Sequence, residues 1–248
     1  MLSNLFLFTV AIIAGAMNGV AGGGGLIAFP ALMFVGVPPI PANATNTAAM
    51  WVGTAASTFA YRKDMTIRRW ELFVLTLASV LGGTIGSYIL LHTSSKSFAG
   101  LIPYLMLTAT LLFAFGKRIN SWLQNRFQLP MWLVIILQFL ISIYGGFFGG
   151  GGGIVILAIL EMMGVKSIHT MNAVKSWLAT TLNACALLHF IAAGIIVWSS
   201  AVLMAVGALI GGYSSAFLAR RVSSVWVRNF ITCIGVSITS YFFLFPAK

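Results

Sequence analysis

Long apolar runs alternate with short polar gaps along the whole chain, and this alternation predicts a string of helices with no strand pattern between them. Runs over residues 44–61, 70–91 and 99–116 are each close to the length a membrane span needs. At 1.5 Å rise per residue, about 20 residues cross a hydrocarbon core roughly 30 Å thick. Before them, an apolar segment over 4–21 runs into a glycine cluster, and a second arm over 25–36 leaves it. The same order returns at 131–148, 153–163, 171–193, 198–218 and 229–245. The arms after the glycines give only about 18 Å of helix, too short to cross, and are predicted as half-helices.

The second set of runs is a copy of the first. Asn18-Gly-Val-Ala-Gly-Gly-Gly-Gly25 is echoed by Tyr144-Gly-Gly-Phe-Phe-Gly-Gly-Gly-Gly-Gly153. Gly36-Val37 matches Gly164-Val165, Asn43 matches Asn172, Thr47 matches Ser176, and Thr54 matches Asn183. Gly82-Gly83 matches Gly211-Gly212, so the offset stays at 128 to 129 residues (22 to 150, 82 to 211). Two repeats are expected, 1–120 and 128–248, each a glycine-broken helical hairpin followed by three transmembrane helices.

Composition and charge say what surrounds these helices. Apolar residues are 60% of the 248 positions and charged residues 7%, where a soluble domain carries about 25% charged residues. Too little charge remains to keep a surface wet, so the expected solvent is lipid and the class is an all-α polytopic membrane protein. The net charge of +11 does not point to nucleic acid, because the basic residues cluster in the gaps between apolar runs. If each broken hairpin enters and leaves on one side, each half crosses three more times and the second half is inverted. Loops 62–69, 117–130, 164–170 and 219–228 are then inside, with Arg62, Lys63, Arg68, Arg69, Lys117, Arg118, Arg126, Lys166, Arg220, Arg221 and Arg228. Loops 37–43, 92–98 and 194–197 are outside, and Lys96 is their only basic residue. A parallel arrangement would put Arg220, Arg221 and Arg228 outside, so the charge bias favours inverted-topology repeats.

Candidate chemistry centres on the glycines. Glycine reaches positive φ freely, so a helix can break there, and freed backbone groups are tolerated in a membrane only where protein or a cavity meets them. The amides of Gly22, Gly23, Gly24 and Gly25, and of Gly150, Gly151, Gly152 and Gly153, stand at the positive ends of the half-helices and form a candidate anion site. Close helix packing is the other use of such glycines. Asn43, Asn46, Thr47 and Thr54 share a face of the next span, as do Asn172, Ser176 and Asn183. They serve either a ligand or interhelical hydrogen bonds. Lys175, one turn into an apolar span, either attracts substrate and gates its path or snorkels to the headgroups. Glu161 and His189 are the coupling or gating candidates, with a structural pair for Glu161 and simple packing for His189 as the alternatives. Cys185 and Cys233 lack metal or redox spacing and read as small buried residues. The N-terminus lacks a basic n-region, so no cleaved signal peptide is expected. No metalloprotease, hydrolase or nucleotide-binding motif is found, and neither an enzyme nor a cofactor is expected.

The chain resembles the sulfite exporter TauE/SafE family of bacterial membrane transporters over almost its full length. The resemblance is carried by Asn18-Gly-Val-Ala-Gly-Gly-Gly-Gly-Leu-Ile-Ala-Phe-Pro-Ala-Leu, by Gly36-Val-Pro-Pro with Ala-Asn-Ala-Thr-Asn-Thr after it, and by glycines 149–153 leading to Gly164-Val-Lys-Ser. It implies movement of small sulfur-containing anions, such as sulfite, sulfoacetate or related organosulfonates, across the cytoplasmic (inner) membrane. Pro30 follows the first glycine run, but its repeat partner is Ala158, so the two halves are not expected to build a symmetric site.

The expectation is thus a gradient-driven secondary transporter for a small anion, exporting it across the inner membrane, with the lipid bilayer as its surroundings. Gly22–Gly25, Gly150–Gly153, Asn46, Thr47, Asn172, Lys175 and Ser176 are expected at the substrate, and a homo-oligomer is compatible with it. The alternatives are a channel or carrier for another solute and a membrane accessory subunit without transport.

Overall fold

The structure, a computed structural model, describes residues 2–124, 129–221 and 224–245, with side chains described at 2–115, 129–219, 221 and 229–245. The described residues form ten α-helices and one 3-10 turn. In the first half these are α1 (Leu2–Val20), α2 (Gly25–Phe34), α3 (Pro39–Ala60), the 3-10 turn Arg62–Asp64, α4 (Arg69–Leu91) and α5 (Ser95–Gln124). In the second they are α6 (Met131–Phe147), α7 (Gly152–Met162), α8 (Ile168–Ala192), α9 (Trp198–Arg221) and α10 (Ser224–Leu244). The protein is all-helical, as its hydropathy pattern predicts.

The differences lie at the helix ends. Helix α3 begins at Pro39, earlier than its apolar run, because Pro38 sets an extended entry and proline at the first helical position loses no hydrogen bond. Helix α8 likewise starts early, where the Ser167 hydroxyl accepts from the Thr170 amide at 3.3 Å. Helix α5 continues to Gln124, so the backbone of Lys117 and Arg118 is helical where a loop is expected. Residues 220 and 228 also lie in helix backbone. The side chains of Lys117, Arg118, Arg220 and Arg228, and Arg126 altogether, lie outside the described residues.

Four described segments are long and apolar enough to cross a membrane: Leu2–Val20, Arg69–Leu91, Ser95–Phe115 and Trp198–Ala219. Along α4, Phe73, Leu77, Leu81, Ile85 and Ile89 are exposed at every fourth position, a stripe suited to lipid. Helices α3 and α8 are as long, with 22 and 25 residues, but they carry the buried Asn, Thr, Ser and Lys side chains and stand inside the bundle.

Glycine seams set how the helices pack. In α1 and α9, Gly207 lies against Phe8 and Ala11, and Gly19 lies against Ser215, so the two helices run parallel. In α4 and α6, Gly82 lies against Ser142 and Gly86 against Gly146, which makes these parallel too. The hydroxyls of Thr58 and Thr180 share a hydrogen bond at 3.2 Å, while Thr45 nearer the start of α3 meets Val197 just past the end of α8, so α3 and α8 run in opposite directions. Tyr104 meets Phe243 and Thr110 meets Thr239, so α5 and α10 are also antiparallel. Exchanging α1–α5 with α6–α10 reproduces this list of partners.

The ends of the bundle follow from these directions. The loop after the 3-10 turn faces the turn before α8 across an open groove lined by Arg68, Lys166 and Thr170 among others. The amide of Leu129 joins the same end by donating to the Met162 carbonyl at 3.2 Å. At the opposite end, the Val197 amide donates to the Thr45 hydroxyl at 3.0 Å. Arg62, Lys63, Arg68, Arg69 and Lys166 therefore share one end, while Lys96 stands at the other.

Candidate functional site

Both helix breaks lie at the centre of the bundle. Helix α1 closes with the Ala21 and Gly22 amides donating to the Met17 carbonyl at 2.8 and 3.0 Å. Gly22 then takes φ +83°, and the Asn18 side-chain oxygen accepts from the Gly24 amide at 3.2 Å. The second break uses Gly149 at φ +75° and Gly151 at φ +79°. There the Phe148 amide donates to Tyr144, and the next amide with a carbonyl partner among the described residues is that of Ile154. The amides between them are unspent donors at the positive end of α7.

The two breaks touch. A methyl group on Gly22 would lie 2.5 Å from the Cα of Gly153, and one on Gly153 would lie 2.5 Å from the Cα of Gly22. Only glycine at both positions allows the backbones this close.

Breaking a helix frees its last carbonyls, and here each broken helix is capped by the other half. The Nζ of Lys175 in α8 donates to the Gly19 carbonyl of α1 at 2.8 Å. The Nδ2 of Asn43 in α3 donates to the Phe147 carbonyl of α6 at 3.0 Å. Gly19 and Phe147 stand 128 positions apart (19 to 147), the offset of the expected repeats, but their donors differ in chemistry. Lys175 also donates to the Asn172 side-chain oxygen at 3.0 Å and forms no ion pair among the described residues. Its side chain is buried and turned toward α1, which removes the snorkelling reading.

Beside Lys175 lies a cavity of about 40 Å³ between the two breaks and α8. That exceeds the roughly 10–15 Å³ needed to hold one water. Its polar lining comprises Asn18, Thr54, Lys175, Ser176 and Asn183, with Gly22, Gly145, Gly149, Gly152 and Gly153 as bare backbone. Ile141, Ile156, Ala179 and Leu182 complete it. The Ser176 hydroxyl is buried and has no hydrogen-bond partner among the described residues.

Of the expected site residues, Gly22, Gly152, Gly153, Lys175 and Ser176 meet at this cavity, and Asn172 reaches it through Lys175. The others stand apart. Gly23 faces the Phe113 ring, Gly24 the Ala14 carbonyl, and Gly151 Ala109. Gly150 lies beside Phe148, and Gly25 lies between Gly149 and Asn46. The Thr47 hydroxyl donates to the Asn43 carbonyl of its own helix at 2.9 Å. Glu161 occupies the last turn of α7, and His189 bonds to the Ser87 hydroxyl at 2.7 Å. Three polar lining residues were not among the expected substrate contacts. Thr54 and Asn183 carried a signal as a matched pair on the polar faces, and Asn18 as the opening residue of the glycine motif.

Comparison with known proteins covers the same length. A family model described as sulfite exporter TauE/SafE matches residues 7–242. A protein of Sinorhizobium sp named probable membrane transporter protein ORF9 is 24% identical over 238 residues, 94% of this chain and 89% of that protein. A probable membrane transporter protein of Haemophilus influenzae is 24% identical over 237 residues, 94% of this chain and 92% of its own. The probable membrane transporter protein YfcA of Escherichia coli K12 is 26% identical over 232 residues, 92% of this chain and 85% of its own. No solved structure matches the chain.

Proposed function

The chain belongs to the sulfite exporter TauE/SafE family and is a multi-pass membrane transporter, and from that premise we propose that it exports a small sulfur oxyanion across the cytoplasmic membrane. The observation that carries this reading is Lys175. Among the described residues it is buried, has only neutral hydrogen-bond partners, and borders a cavity lined by Gly149, Gly152 and Gly153 of the second break and by Ser176, whose hydroxyl has no partner there. Such a set lacks a negative partner and offers donors from several directions, as an oxyanion requires.

The two halves act in this reading as inverted repeats. The antiparallel pairing of α3 with α8 and of α5 with α10 supports it, as does the gathering of the described basic loops at one end. Rocking of one half against the other about the crossing of Gly22 and Gly153 then exposes the cavity to each side in turn.

The test is uptake of radiolabelled sulfite by proteoliposomes holding the purified protein, with sulfate, thiosulfate and sulfoacetate as competitors. Saturable uptake that Lys175→Met abolishes supports the reading. Absence of uptake under imposed proton, sodium and voltage gradients refutes it.

A further inference from the structure

We propose that Lys175 is the proton-coupling residue: it takes up one proton with each monoanion, so the occupied site crosses the membrane without net charge and dianions are refused. The inference rests on the anion-transport reading above and follows from how the three positions around Nζ are used. Because the proton leaves with the anion, export in this scheme is driven by the outward anion gradient, not by the proton gradient or the voltage. Two are N–H donors committed to neutral acceptors, the Gly19 carbonyl at 2.8 Å and the Asn172 side-chain oxygen at 3.0 Å. The third has no partner among the described residues, and Lys175 lines the cavity. On an amine that position is a lone pair, which repels an anion. On an ammonium it is a third N–H, which donates to one. Only protonation makes this position fit an anion.

The surroundings make the linkage reciprocal. Among the described lining residues, α1 contributes Asn18, α3 contributes Thr54, and α6 and α7 contribute glycine and isoleucine. Helix α8 itself adds Ser176 and Asn183, and none of these carries a charge. An ammonium there without its anion is an unpaired buried charge, and so is an anion without the proton. Binding together, they cancel. With no second cation in the lining, a dianion leaves one negative charge uncompensated. Glu161 and His189 are not in the lining.

Methanesulfonate is a suitable probe because it stays a monoanion at every pH the protein tolerates, so any proton that moves with it is carried by the protein. Proteoliposomes with a pH-reporting dye in the lumen are given labelled methanesulfonate with and without a potassium–valinomycin voltage. Expected are one proton entering per anion, a rate that ignores voltage, and no competition by sulfate. The variant Lys175→Arg, whose guanidinium keeps its proton, is expected to bind methanesulfonate but to move it with net charge and without acidification. Wild-type uptake that follows voltage, leaves the lumen pH unchanged or is competed by sulfate overturns the coupling role and leaves anion transport standing. Absence of saturable uptake of both sulfite and methanesulfonate overturns the underlying transport reading as well. The wild-type measurements decide the matter even if the arginine variant does not fold.

Discussion

Lys175 reaches from the second half of the chain to the carbonyl of Gly19 in the first, at 2.8 Å. The expected repeat pairs it with Asn46, 129 positions earlier (175 to 46), but the cap that the first half supplies, on the Phe147 carbonyl, comes instead from Asn43. The halves thus share a structural requirement, a donor for the broken helix, but only one meets it with an ionisable group. Single-site variants can separate the two roles.

Replacing Asn43 with Ala leaves the Phe147 carbonyl buried without its donor, a loss of about 1–3 kcal/mol. Thermal unfolding in detergent is expected to show it as a lowered midpoint, with the apparent affinity for sulfite retained. Lys175→Met is expected to lower the midpoint similarly and also to abolish uptake. Equal uptake by the two variants removes Lys175 from the site.

Ser176 offers a cleaner probe, because its hydroxyl has no partner to lose among the described residues. Ser176→Ala is expected to leave the unfolding midpoint in place. A hydrogen bond to a charged group is worth about 1.5–3 kcal/mol, so the half-saturating sulfite concentration is expected to rise about tenfold or more. An unchanged uptake curve excludes contact between this hydroxyl and the anion.

At the crossing of the breaks, Gly22→Ala or Gly153→Ala drives a methyl into backbone at 2.5 Å. Both variants are expected to lose monodisperse protein in gel filtration as well as uptake. Gly100→Ala, with nothing within 4 Å of the new methyl, is the matched control and is expected to behave as wild type. Gly24 is a poor site probe, since a side chain there strikes the Ala14 carbonyl and reports on packing.

Sidedness is testable with single cysteines in a cysteine-free background. Ser97→Cys and Ser199→Cys lie at the sparsely charged end and are expected to react with a membrane-impermeant thiol reagent in intact cells. Lys63→Cys and Ser167→Cys lie at the basic end and are expected to react only after permeabilisation. Labelling of Ser97→Cys without Ser199→Cys contradicts the inverted arrangement.

Helix order was legible because each apolar run has a length and a break that physical chemistry limits to few forms. The ends were less so. Helix α5 passes through Lys117 and Arg118 because charge stops a span but does not stop a helix. At the site, the repeat pointed to Thr54 and Asn183, and both line the cavity. The pattern could not reveal that the Thr47 hydroxyl turns back onto Asn43, since a polar face reads the same whether its groups bond outward or within the helix. Nor could it show that Lys175 turns inward. Its acceptor is 156 residues away in the chain and is available only because α1 ends there.

That separation of 156 residues sets a timetable for biogenesis. When the first hairpin leaves the ribosome, its Gly19 carbonyl has no donor, and the Gly22 backbone lacks Gly153, the neighbour that packs against it. Six helices, α1 to α6, must wait in the bilayer in provisional form until α7 and α8 arrive. Synthesised alone, the first half would therefore hold an open seam at its centre, the kind of defect membrane quality-control proteases remove.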